Sequence, residues 1–253
     1  MAKSSKDRDR AARIEKMQRE TASAERRRTL VVVVICGVIA LAIVGATAWK
    51  VISDRQRAEE VAGTPLVELG LSASEVSCTD VSTEPGEGGG EHLDGQDIDY
   101  PSSPPAFGAH WNGPADFERK FYTASDRPEV ERLVHNLEHG YTVLWYDETI
   151  ADSADDLKVV QEMAEKFELE TVPDDPEAYN EAKFIAAPWT SDDGKAFPDG
   201  AHVALTHWAA QGENAAEGEG LGATMYCERP SGEAVGDFME EYPASNALEA
   251  NGV

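Results

Sequence analysis

The sequence predicts an α+β fold: a small mixed sheet with flanking helices, preceded by one transmembrane helix and a flexible tether. Three observations predict it. Residues 29–49, "TLVVVVICGVIALAIVGATAW", carry no charge, and a helix of that length spans roughly 30 Å, the thickness of a bilayer core. Residues 54–91 end in "STEPGEGGGE", rich in Gly and acid with nothing to bury, which reads as a flexible linker. Beyond residue 100, helix-period stripes and short β-branched or aromatic runs are mixed without a regular strand–helix–strand repeat, the pattern of an α+β domain.

Taken in order, residues 1–28 form a basic segment, with ten Lys or Arg against five acids, a net of +5. Arg26, Arg27 and Arg28 abut the apolar run, so the positive-inside rule places the N-terminus in the cytoplasm and the C-terminal domain outside it. The transmembrane helix is assigned to 29–52. A cleaved signal peptide is the rival reading, because "ATA" at 46–48 resembles a cleavage site. An apolar run longer than the usual 7–15 residues and a long basic lead favour an uncleaved anchor. Cys36 follows the bulky Ile35 and does not fit a lipoprotein cysteine.

From Lys50 onward there are 12 basic and 43 acidic residues, a net of −31. Such a surface repels phosphate, which excludes nucleic acid as a partner and leaves the membrane, with room for a membrane-protein partner. The tether covers 53–91, the α+β domain 92–243 and a tail 244–253.

Within the domain, "YPSSPPAFGAHWNGP" (100–114) is too dense in Pro and Gly for a helix or central strand, and reads as a stiff loop. "RPEVERLVHNLEHG" follows, with Pro128 suited to a first turn, Gly140 suited to the position past the end, and Val130, Leu133, Val134 and Leu137 in one apolar stripe. "YTVLWYD" reads as a buried strand, and "KFIAAPW" and "HVALTHWA" as two more. "SADDLKVVQEMAEKFELE" is a helix with Ser153 as its cap and Leu157, Val160, Ala164 and Phe167 inward, and "SGEAVGDFMEEY" a closing helix. The Gly-rich "GEGLGATMYC" lacks the strand-then-helix setting of a nucleotide loop.

Chemistry concentrates in "VHNLEHG" (134–140). His135 and His139, four apart, share one helix face and can reach one ion. Their spelling, H-x-x-E-H, also matches inverzincin peptidases, with Glu138 as general base. Glu138 points off the histidine face by about 100° per residue, which suits either a partner that orients an imidazole or simply an exposed acid. His110 in the stiff loop and His92 before it complete a candidate set of His110, His135, His139 and His92, suited to copper or zinc. Met225, two residues before Cys227, is a candidate thioether for copper(I). Cys78 and Cys227 are the two cysteines beyond the apolar run. In an oxidising compartment they are expected to form a disulfide closing a loop of about 150 residues, worth about 5 kcal/mol by chain entropy.

"YPSSPPAFGAHW" and "RLVHNLEHGYTVLWY" resemble the uncharacterised domain family numbered 3105, single-pass bacterial envelope proteins with a P-P-x-S-G-x-H motif followed by V-H-x-L-E-H-G-Y. The resemblance covers about residues 90–230 and puts His110, His135, Glu138, His139 and His92 on signature positions. Phe107 stands where the family often has Ser. His207 replaces the small residue expected before Trp208, which adds it as a further candidate ligand. The resemblance implies a shared site and no particular activity.

Three functional readings follow. The first is a membrane-anchored envelope protein with a histidine-cluster metal site, handling copper or zinc. The second is a non-catalytic accessory or structural subunit of a membrane complex, such as a respiratory assembly. The third, a metallopeptidase, is disfavoured: the motif ends its helix at Gly140, the downstream acids in "VPDDPEAYNEA" lie in a polar run, and His110 offers a third imidazole.

Overall fold

The computed structural model describes residues 2–169 and 182–250, so the acid-rich run at 172–181 lies outside the described residues. The chain divides into two units, 1–57 and 58–253. The first is helical, part of α1 (Ala2–Gly63). Around the apolar run its large side chains are mostly uncovered, Leu41 at 74% and Trp49 at 76% exposure. A helix apolar on every side has no soluble face. α1 is, among the described residues, the one helix long and apolar enough to cross a membrane.

The second unit is built on a five-stranded mixed sheet. Its strands are β1 (Ser82–Pro85), β2 (Thr142–Tyr146), β3 (Phe184–Pro188), β4 (Val203–Ala209) and β5 (Leu221–Cys227), in spatial order β1-β5-β4-β2-β3. β2 and β3 are parallel, and every other pairing is antiparallel. The helices are α2 (Val130–Glu138), α3 (Glu148–Asp152), α4 (Ala154–Leu169) and α5 (Gly232–Glu241). Joining two parallel strands requires a crossover, and α3 and α4 lie in it. Asp147 caps α3 through Thr149 and Ile150 N–H, Ser153 accepts Asp156 N–H at the start of α4, and Ser231 caps α5.

Both faces of the sheet are covered. On one, Leu144, Tyr146, Leu205, Ala223 and Met225 pack with Val160, Met163, Ala164 and Phe167 of α4 and Val235 and Phe238 of α5. On the other, Val143, Trp145, Ile185, Ala204 and Trp208 pack with Leu133, Val134 and Leu137 of α2 and with Phe107. A strand buried on both faces reads as an unbroken apolar run, which is why "TVLWY" shows no alternation. β5 shows the opposite signal. Its Gly222 is required because a Cβ there would lie 2.3 Å from the Phe107 ring, a close approach that puts glycine inside a strand.

The stretch expected to be a flexible tether is largely built into the domain. α1 continues to Gly63, Leu66–Glu68 forms a 3-10 turn, and β1 pairs with β5. Cys78 is disulfide-bonded to Cys227, as expected. Gly86 N–H donates to Gly220 O at 2.9 Å. The β1 pairing and the Gly86 contact use backbone groups, and the apolar anchors are few and unevenly spaced, with Val61, Leu69 and Val76 buried and Leu66, Ala73 and Val81 packed on the core, so they form no helix or strand period. The same holds for the segment expected to be a tail, where Ala247 is buried and Leu248 packs beside the α2 cluster.

Candidate metal centre

α2 brings two histidines to the site because its stripe of Leu133, Val134 and Leu137 is wholly buried against the sheet. That fixes the helix rotation and leaves His135 and His139 together on an adjacent edge. The helix stops at Gly140, whose φ of +88° favours glycine at this position. The loop carrying His110 is pinned by Tyr100, whose hydroxyl donates to Ala109 O at 2.9 Å. His92 is brought alongside by a short parallel bridge: His110 N–H donates to Glu91 O at 3.0 Å and Leu93 N–H to His110 O at 2.8 Å.

His92, His110 and His135 each present one ligand nitrogen, all within 4.8 Å of one another. Their ring centroids are 4.9 Å (His92–His110), 5.4 Å (His92–His135) and 4.8 Å (His110–His135) apart. His110 and His135 are buried, and His92 is exposed at the mouth. Of the expected set of His110, His135, His139 and His92, three form this group, and His139 lies beside it, its Nε2 2.8 Å from His135 Nε2.

The ring nitrogens are oriented by backbone carbonyls. Nδ1 of His110 lies 2.8 Å from Gly108 O, Nδ1 of His135 2.7 Å from Trp111 O, and Nδ1 of His139 3.2 Å from Glu249 O. A carbonyl only accepts, so each Nδ1 carries the hydrogen and each Nε2 turns inward. This is the arrangement that commonly orients a metal-bound imidazole. Nε2 of His110 is buried without a hydrogen bond, with Glu138 Oε2 3.1 Å from it. Burial, reinforced by the neighbouring His110 and His139, pushes the His135 pKa down to about 4 despite the Trp111 carbonyl, so the ring is neutral at pH 7 and ready to act as a ligand.

Glu138 is buried at the centre of this arrangement. Burial alone would raise its pKa. His110 and His135, through the positive charge they carry when protonated, and the Gly90 N–H outweigh burial and hold the carboxyl below its ordinary value. Its Oε1 accepts the Gly90 N–H at 2.7 Å, which ties down the Gly-rich turn leading to His92. One Glu138 oxygen thus lies on the turn and the other beside His110.

The remaining candidates lie elsewhere. Met225 and His207 fall on the α4 side of the sheet, where Met225 packs in the core cluster. His207 is buried, with Nδ1 3.3 Å from Thr142 Oγ1 and its ring 6.4 Å from that of Tyr242. Alternation explains this, because His207 is one residue away from Trp208, which packs on the α2 side near His110. Cys78 and Cys227 are bonded to each other. Met225, the Cys78–Cys227 sulfurs and His207 therefore do not join the triad. Sequence reasoning missed Gly90, Glu249 and Lys183 because their contributions come from backbone groups or from a lysine buried by tertiary contacts.

No curated protein and no solved structure matches the chain. A family model described as a protein of unknown function (DUF3105) matches residues 92–252, a span that includes all four clustered histidines, Glu138 and Glu249, and the chain belongs to that family.

Proposed function

We propose that the protein is a single-pass membrane protein whose folded unit, held outside the cytoplasm, binds one zinc or copper(II) ion through His92, His110 and His135. The convergence of three imidazole nitrogens within 4.8 Å, two of them in buried rings, carries this reading. Imidazole suits either ion, while copper(I) favours sulfur donors, and in the second unit Met163, Met225 and Met239 pack on the far side of the sheet and Cys78 and Cys227 form a disulfide. An exposed His92 gives the ion an entry path, and Glu138 supplies a buried negative charge beside it. The orientation is supported by Arg26–Arg28 before the apolar run and by the disulfide, a bond typical of oxidising compartments. The net charge of −31 from Lys50 onward favours cations and the aqueous side of a membrane over nucleic acid.

The test is elemental analysis of the full chain, purified in detergent without chelators or a histidine tag and dialysed against zinc or copper(II). About one ion per chain is expected, lost in His110→Ala and His135→Ala. A metal content at background after dialysis against either ion defeats the proposal.

A further inference from the structure

The segment 246–250 runs across the end of α2. Glu249 N–H donates to Glu138 O at 3.0 Å, and Glu249 O accepts from His139 Nδ1 at 3.2 Å. Lys183 fastens both partners, its Nζ donating to His139 O at 2.9 Å and to Ala250 O at 2.6 Å. Upstream, Asn246 is an anchor: its O accepts Ala210 N–H at 2.9 Å, its Oδ1 accepts Gln211 N–H at 3.0 Å, and its Nδ2 donates to Gln211 O at 2.9 Å. A Cβ on Gly140 would lie 2.5 Å from Ala244 O, so glycine is what lets the chain pass this close.

The last carbonyls of a helix have no partners within it. Here the Glu249 N–H and the Lys183 ammonium supply two of them, Glu138 O and His139 O. The same segment also chooses the orientation of His139. The Glu249 carbonyl requires hydrogen on Nδ1, which aims Nε2 at His135 Nε2. Neither Nε2 then carries a hydrogen, so the segment holds two lone pairs 2.8 Å apart in a position that a shared cation would bridge.

We propose that residues 246–250, clamped by Lys183, are a positioning strap for the metal centre: docked, they hold His139 and through it His135 in the ligating arrangement, and released, they leave a weaker site. This rests on the metal reading above. The strap touches no ligand nitrogen of the triad. It acts through His139, so its loss lowers affinity without removing a ligand.

The test uses the full chain in detergent micelles, unaltered, as Asn246→Ala, and ending at Ser245. Nitrogen NMR of labelled histidine reads which His139 nitrogen is protonated in the zinc-free protein. Competition with a chelator reads zinc affinity, and the unfolding temperature controls for the fold. The strap predicts hydrogen on Nδ1 of His139 in the unaltered chain and mixed protonation in both variants. It also predicts a zinc affinity lower by about tenfold or more, the scale on which outer contacts tune a metal site, with little change in the unfolding temperature of Asn246→Ala. Unchanged His139 nitrogens and equal zinc affinity in all three proteins overturn the strap and leave the metal site standing. No zinc uptake by the unaltered chain overturns the metal reading, and the strap falls with it.

Discussion

Glu138 Oε2 lies 3.1 Å from His110 Nε2 with both side chains buried, and the other Glu138 oxygen holds the Gly90 N–H at 2.7 Å. One carboxylate thus links a ligand on the Pro-rich loop to the glycine turn that delivers His92. Glu138→Gln removes the charge and keeps the shape. It is expected to weaken zinc or copper(II) binding by about 10–100-fold while retaining one site, whereas His110→Ala abolishes it. Chelator competition measures both, and unaltered affinity in Glu138→Gln would remove Glu138 from the site.

His207 gives an acid-side prediction on the opposite face of the sheet. Burial lowers its pKa from 6.5 to about 4, against the backbone contact with Tyr141, and its Nε2 has no hydrogen bond. Between those values the unfolded chain binds a proton that the folded chain does not, so stability falls as pH drops from 6.5 toward 4. His135 adds a second contribution of the same sign. His207→Leu is expected to make the loss of stability in acid shallower in urea titrations and to leave metal affinity untouched. A change in affinity would show that the sheet does not insulate His207 from the site.

On the alkaline side, burial lowers Lys120 and Lys183 from 10.5 to about 8. Across that window the unfolded chain holds more protons, so stability rises as pH increases from 8. Burial also raises the Tyr100 and Tyr146 pKa values above 10. That contribution is complete below pH 10 and is lost above it. Metal-free protein should therefore show a stability maximum near pH 10, and Lys120→Met should flatten the rising limb. A steady decline from pH 8 would contradict both assignments.

The disulfide has its own test. Thiol labelling of the unfolded, unreduced chain should modify Cys36 and neither Cys78 nor Cys227. The double variant Cys78→Ser, Cys227→Ser should lose up to about 5 kcal/mol, the chain-entropy value for a loop of this length. Because β1 follows Cys78 and leads into the Gly86–Gly90 turn, metal affinity should also weaken. Full affinity in the double variant would show that β1 pairing alone holds His92 in place.

Several elements were legible in the residues themselves. The uncharged run at 29–49, the stripe of Leu133, Val134 and Leu137, and the runs at 142–146, 184–188 and 203–209 each state which side of an element avoids water. The histidines, Glu138 and the cysteine pair declare their chemistry by residue type and spacing. Periodicity does not say what covers an apolar side or which neighbour accepts a backbone hydrogen bond. Only the tertiary structure decided that β5 and β1 join the sheet, since Gly222 and the polar "STEP" carry no strand pattern and depend on Phe107 and on a pairing some 140 residues apart. The same folding set Met225 and His207 behind the sheet, gathered His92, His110 and His135 with His139 beside them, buried Glu138, and drew residues 246–250 onto the end of α2. Each of these outcomes is a relation between distant segments, and local sequence encodes only one side of such a relation.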